Sequence, residues 1–98
     1  MQPLITVSIS AAGGEKSISV YSCDIQDFDE EIDVLTVSAF YRDYVPIRRT
    51  MIGALDTKGI SVEELSQHPE IDLRELANIW LSGEISGSEL PIRRIGCV

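Results

Sequence analysis

The chain has 98 residues, and 44% of them are hydrophobic, which is enough for one modest core without metal ions or disulfides. Sixteen acidic against eight basic side chains leave a net charge of −8, which repels phosphate groups. Binding to nucleic acid or to an anionic membrane is therefore not expected. No stretch approaches the roughly 20 apolar residues of a spanning helix, and the N-terminus lacks the basic segment of a signal peptide, so a cytoplasmic protein is expected.

The cysteines and the single histidine argue against metal or redox chemistry. Cys23 and Cys97 lie far apart in strand-like runs, and without a signal peptide they favour buried thiols in a reducing compartment. A disulfide between neighbouring strands is the less favoured alternative. Neither C-x-x-C spacing nor a second histidine is present, and His68 lies in a turn, so we expect no metal site and no cofactor.

The N-terminal segment has the pattern of a β-hairpin. Ile5, Val7 and Ile9 alternate with threonine and serine, which predicts a half-buried strand over residues 4–10. Residues 11–14 read AAGG and supply a turn, and a second β-rich run follows over residues 17–23. These runs predict two antiparallel strands.

The middle of the chain predicts a strand followed by two short helices. Residues 32–40 are nearly continuously apolar, as in a central strand covered on both faces. Apolar residues at helical spacing predict a helix from Ile47 or Thr50 to Leu55, ended by Gly59. Ser61 and Glu64 form a capping-box pattern that opens a helix over residues 61–67, which Pro69 ends.

The last third leaves two alternatives open, because residues 72–85 fit either a helix or a strand. We favour a short helical turn over residues 72–76, followed by a hairpin of two strands that ends at Val98. A terminal apolar strand without a following helix is unusual in an α/β domain. It fits either the N-terminal part of a longer chain or a sheet edge that a partner completes.

Together these elements predict one α/β domain over residues 1–98. The expected architecture is a small three-layer mixed β-sheet with an N-terminal hairpin and one to three short helices.

Three short motifs resemble the first part of the macro domain family. Residues 23–26 read CDIQ, residues 32–40 read IDVLTVSAF, and residues 51–55 read MIGAL. In order and approximate spacing they are similar to the family's G-D-I-T motif, its V-D-A-I-V-N-A-A-N strand and its helix ending in G-A-I. The resemblance covers the central third of the chain. It implies a macro-domain-like fold that binds ADP-ribose or a related adenine nucleotide.

The resemblance also implies roles for individual residues. Asp24 matches the aspartate that accepts a hydrogen bond from the adenine amino group, and Ile25 matches the neighbour that contributes a backbone amide. Ser38 or a neighbour occupies the position of the catalytic asparagine. The family's glycine-rich phosphate loop is replaced by SAFYRDYVPIRR, residues 38–49, which contains no glycine. Enzymatic removal of ADP-ribose is therefore not expected.

The loop after the predicted central strand concentrates groups that could hold an anionic ligand. Tyr41 can stack on a base, and Arg42, Arg48 and Arg49 suit phosphate or carboxylate. The alternative is that the tyrosines cap the core while the arginines neutralise Asp43 and the acidic turn. The remaining carboxylates of residues 27–31 fit a solvated connection.

Two functions of different classes follow. The first is a nonenzymatic interaction module with a reduced macro-like fold that mediates assembly of a larger protein or complex. Its contact would be a protein partner or self-association through the C-terminal strand edge, where Ile92, Ile95 and Val98 form the apolar run. The second is a binder of ADP-ribose or a related adenine nucleotide.

Overall fold

Strands β1 (Ile5–Ala11) and β2 (Gly14–Val20) form an antiparallel hairpin that is joined to no other sheet in the computed structural model, which describes all 98 residues. Gly14 begins β2 with φ at 111°, a left-handed value that other residues adopt only with strain. The predicted hairpin is confirmed, although its second strand begins and ends three residues earlier than expected.

A second sheet contains the other four strands, which are β3 (Ile32–Val37), β4 (Pro69–Leu73), β5 (Ile79–Ser82) and β6 (Ile92–Cys97). Their order is β3-β6-β5-β4, with β6 parallel to β3 and the other neighbours antiparallel. The sheet is therefore mixed, as predicted. β6, which is the last strand in the chain, lies in the interior of this sheet.

This order corrects two predictions. β3 is an edge strand rather than a central one, and its Val34 side chain is 44% exposed. The C-terminal strand is not an open edge, because β6 is paired with β3 on one side and with β5 on the other. The backbone groups expected to join a partner are already used within the sheet.

Three short helices connect the strands, namely α1 (Met51–Thr57), α2 (Val62–Leu65) and α3 (Arg74–Ala77). Thr50 Oγ1 caps α1 by accepting from Gly53 N at 3.0 Å, and Ser61 Oγ caps α2 by accepting from Glu64 N at 3.1 Å. The first cap confirms Thr50 rather than Ile47 as the start of α1, and the second confirms the predicted start of α2. The helical turn expected over residues 72–76 is present as α3, which starts two residues later and ends one residue later than expected.

The core lies on one face of this sheet. Trp80 and Ile95 from the strands pack with Leu55 from α1 and Val62 from α2, and all four are fully buried. The opposite face has no helical cover, and its aliphatic side chains are partly or largely exposed. We call it the open sheet face, formed by Val34, Ile71, Leu73, Ile79 and Leu81. The sheet is thus covered by one layer of helices, so the predicted three-layer arrangement is wrong.

Candidate functional site

The hairpin has two chemically distinct faces. Because side chains alternate along a strand, the register places aliphatic residues on one side and hydroxyl residues on the other. On the hydroxyl side, Thr6 Oγ1 and Ser19 Oγ are hydrogen-bonded at 2.9 Å. The other side is the aliphatic hairpin face, formed by Ile5, Val7, Ile9, Ile18 and Val20, with Lys16 opposite Ile9 near the turn.

Nothing in the chain covers the aliphatic hairpin face. Every residue of β1 and β2 is exposed, including these five aliphatic side chains. A two-stranded hairpin alone is at best marginally stable in water, and it needs further strands or a packing surface. Contiguous exposed apolar surface on a protein marks a site of interaction. This face is therefore the leading candidate for a functional surface.

The base of the hairpin is fixed to the acidic turn that follows it. Tyr21 Oη donates to Glu30 Oε2 at 2.7 Å, and its ring meets the edge of Phe28 at 5.0 Å between centroids. The amino terminus of Met1 lies 3.4 Å from Asp29 Oδ1. The hydrogen bond to Glu30 raises the pKa of Tyr21. Two of the carboxylates expected to be merely solvated thus hold the hairpin in place.

Four of the residues singled out from the sequence lie around one surface depression of about 460 Å³. Asp24 and Ile25 approach it from a 3₁₀ turn (Ile25–Asp27), while Arg48 and Arg49 approach it from the segment before α1. Gln26 joins the two sides, because its Nε2 donates to Ala54 O at 3.1 Å and to Thr57 Oγ1 at 2.7 Å.

The electrostatics of this depression differ from those of the other arginines. Arg48 and Arg49 make no ion pair, whereas the remaining four, Arg42, Arg74, Arg93 and Arg94, each bind a carboxylate. Arg49 also has a left-handed backbone with φ at 71°. Asp24 makes no side-chain capping bond to the turn that it precedes. The depression therefore combines free cationic groups with one free carboxylate.

The other predicted site residues lie elsewhere. Tyr41 and Arg42 line a separate depression of about 230 Å³, and Ser38 lines a third of about 220 Å³. Arg42 Nε donates to Tyr41 Oη at 3.0 Å, and its Nη2 donates to Glu75 Oε1 at 2.5 Å. The seven residues named from the sequence are thus divided among three depressions.

The alternative interpretation of the loop over residues 38–49, in which its tyrosines cap the core and its arginines neutralise nearby carboxylates, is correct only for Tyr44. Its ring meets the edge of Trp80 at 5.6 Å between centroids, so it caps the core. Tyr41 instead remains 71% exposed. Arg42 pairs with Glu75 rather than with Asp43.

The open sheet face is a functional candidate that the sequence analysis missed. Its signal was present in residues 69–73, PEIDL, where Ile71 and Leu73 alternate with acidic residues as in a strand with one apolar side. The sequence instead predicts that Pro69 ends a helix there. In the structure, Pro69 begins β4, which is an edge strand and so tolerates proline.

None of the helices has the length and apolar character needed to cross a bilayer. Comparison of the chain with protein-family models, curated proteins and solved structures finds no match.

Proposed function

We propose that this protein is a nonenzymatic interaction module that mediates assembly of a larger protein or complex. The observation that carries the proposal is the aliphatic hairpin face, which presents five isoleucine and valine side chains on an uncovered β-ribbon whose base is hydrogen-bonded to Glu30. The order of the macro-like motifs supports a reduced macro-like scaffold behind it. The free thiols of Cys23 and Cys97 support a cytoplasmic site of action.

The total surface of the molecule supports this proposal. The chain exposes 6884 Å² at a mass of 10.8 kDa, whereas a compact monomer of that mass exposes about 5,500 Å². The excess of about 1,300 Å² is larger than the about 800 Å² that each partner contributes to a standard protein interface. A bound partner is the simplest means of removing such an excess.

The test is site-specific photo-crosslinking in the cells that produce the protein. A photoreactive residue replaces Val7 on the aliphatic hairpin face, and the matched control replaces Ser8, its neighbour on the hydroxyl face. We expect crosslinks to protein from position 7 and few from position 8. Equal yields, or no protein adduct from position 7, would overturn the proposal.

A second candidate function, binding of ADP-ribose or a related adenine nucleotide, is favoured by the depression that joins Asp24 and Ile25 to Arg48 and Arg49. An ionised aspartate accepts hydrogen bonds only, which suits an adenine amino group, and guanidinium groups suit phosphates. No ion pair within the chain competes for these two arginines.

Calorimetric titration with ADP-ribose tests this second candidate. We expect saturable heat that Asp24→Ala weakens by roughly 1.5–3 kcal/mol, as for a charge-assisted hydrogen bond. Arg48→Ala should weaken binding as well. Arg93→Ala is the control, because Arg93 is engaged by Asp33 and Glu84 outside the depression. Absence of heat at millimolar ligand would exclude this function.

A further inference from the structure

We propose that a second copy of this chain is the partner, and that the aliphatic hairpin face of each protomer packs on the open sheet face of the other. The resulting dimer is reciprocal and two-fold symmetric, so both uncovered surfaces are covered at once. This inference rests on the proposed function, because it names the partner of the same surface.

The hairpin does not cover the open sheet face of its own chain. Its base is held by the contacts of Tyr21 with Phe28 and Glu30. In this orientation every residue of the ribbon is exposed. The radius of gyration is 14.6 Å, compared with about 13 Å for a compact domain of this length. The ribbon therefore projects from the body and is accessible to another molecule.

The two surfaces match in chemistry and in form. Each is one side of a β-structure that exposes four or five aliphatic side chains; the sheet face also carries Thr36, Arg94 and Gly96 between Val34 and Leu81, and the hairpin face carries Lys16 opposite Ile9. Two such faces pack about 10 Å apart with interdigitating side chains, as in a β-sandwich. The hairpin would supply the second layer that the four-stranded sheet lacks.

The charge distribution favours contact between hairpin and sheet over contact between two sheets. Glu15 and Lys16 are the only charged side chains among residues 1–22, so this segment is neutral and the rest of the chain carries the whole net charge of −8. Packing two acidic bodies directly together brings like charges close. A neutral ribbon on an acidic body avoids that repulsion.

The available area also suits a two-contact dimer. In a standard interface each partner buries about 800 Å² of surface. The excess surface of about 1,300 Å² per chain is large enough for this if each protomer buries both its hairpin face and its sheet face. A single hairpin–sheet contact would leave the second pair of faces in water.

The experiment measures self-association by sedimentation equilibrium over a dilution series. Ile18→Asp places a carboxylate on the aliphatic hairpin face, and Ile71→Asp places one on the open sheet face. Each should weaken the dimer by roughly 100-fold, because each dimer buries two unpaired carboxylates. Ser19→Asp, on the hydroxyl face, and Leu76→Asp, on an 87% exposed side chain of α3, are the matched controls and should leave association unchanged.

Mixing the two interface variants gives the decisive result. A heterodimer of Ile18→Asp with Ile71→Asp retains one undamaged contact, between the intact hairpin of one chain and the intact sheet of the other. Both carboxylates of the heterodimer fall in its other contact, which can stay open to water, whereas each homodimer has a carboxylate in both contacts. We therefore expect the mixture to associate more tightly than either variant alone. This recovery also shows that both variants are folded.

The remaining outcomes overturn the inference in distinguishable ways. If Ile18→Asp weakens the dimer, Ile71→Asp does not, and mixing the two variants restores no association, the contact is between two hairpins. A wild-type chain that stays monomeric at all concentrations would exclude a second copy. If position 7 then crosslinks to a different protein, the interaction module stands and only its partner is wrong.

Discussion

Arg74 connects the surface of α3 to the core below it. Its Nε donates to Asp72 Oδ1 at 2.9 Å and its Nη2 donates to Asp72 Oδ2 at 2.8 Å, which is the bidentate geometry that guanidinium and carboxylate favour. The same guanidinium lies 5.9 Å from the ring centroid of the buried Trp80. The pair thus fixes the corner between β4 and α3.

The acid titration of Asp72 should report this pair. Arg74 lowers the pKa of Asp72 from 3.8 to about 2 through side-chain and backbone hydrogen bonds. A depressed folded-state pKa means that the stabilisation is present above pH 4 and is lost as the pH falls towards 2. NMR of the carboxyl carbon should show a midpoint near 2, and Arg74→Ala should return it towards 3.8. A native midpoint near 3.8 would mean that the pair does not form in solution.

The two cysteines should differ sharply in reactivity. Burial raises the pKa of the Cys97 thiol, which is 2% exposed, whereas Cys23 is exposed, contrary to the expectation that both are buried. Since the thiolate is the nucleophile, a thiol reagent should modify one cysteine in the native protein and both in denaturant. Cys23→Ser should abolish the native reaction. Fast labelling of Cys97 in that variant would show that the β6 end of the core opens readily.

At the scale of elements, the loop before α1 is packed directly against the helix. A Cβ added to Gly53 would overlap Ile47 O, would lie 2.9 Å from Ile47 C, and would approach Thr50 Oγ1 at 3.3 Å. Glycine at this position therefore permits a close contact between the helix and the chain that carries Arg48 and Arg49 into the depression.

Gly53→Ala should reverse the usual effect of this substitution. In an exposed helix interior, alanine is more favourable than glycine by about 1 kcal/mol. Here the overlap with backbone atoms should instead destabilise the protein by about 1–3 kcal/mol, as other overpacked sites do. Urea denaturation measures the change, and Gly83→Ala, which meets no atom within 4 Å, is the control. Stabilisation by Gly53→Ala would mean that the loop moves away freely.

The local elements were more predictable than their arrangement. Alternation identified the hairpin, and the capping residues Thr50 and Ser61 mark helices that the structure contains. Strand order depends on long-range pairing, and the similar apolar runs of residues 32–40 and 92–98 did not reveal which strand is interior. The missed strand β4 has only five residues, so the alternation of Ile71 and Leu73 with acidic residues is too brief to outweigh the interpretation of Pro69 as a helix end.

For the candidate site, too, the individual residues were more predictable than their arrangement in space. The hydrogen bonds of Gln26 join the 3₁₀ turn to α1, and this brings Asp24 and Ile25 close to Arg48 and Arg49. No local sequence pattern predicts such a long-range contact. Tyr41, Arg42 and Ser38 follow the strand directly and line two other depressions. The residue types therefore indicated which side chains could bind a ligand, but only the fold shows which of them lie together.

At the scale of the whole molecule, the acidic charge of the body and the two apolar surfaces have opposite effects on self-association. The net charge of −8 keeps copies apart, while the two uncovered β-faces favour their association. The balance between these effects depends on ionic strength.

Salt should therefore strengthen self-association. The Debye length falls from about 30 Å at 0.01 M to about 3 Å at 1 M, which screens repulsion between the acidic bodies and leaves apolar burial in place. Light scattering at fixed protein concentration should show a rising dimer fraction with added sodium chloride. A dimer fraction that falls with salt would show that ion pairs, rather than the aliphatic faces, hold the copies together.

The interior position of β6 has a consequence for the order of events during synthesis. The hairpin is local and closes within about 1–10 μs of emerging, whereas the four-stranded sheet cannot join β3 to β5 before β6 is made. At about 5–20 residues per second, roughly 4–15 s separate completion of Val20 from completion of Cys97. A nascent chain thus exposes the aliphatic hairpin residues long before it has a sheet of its own. During that interval, a completed neighbour from the same polysome or a chaperone is in a position to receive the ribbon.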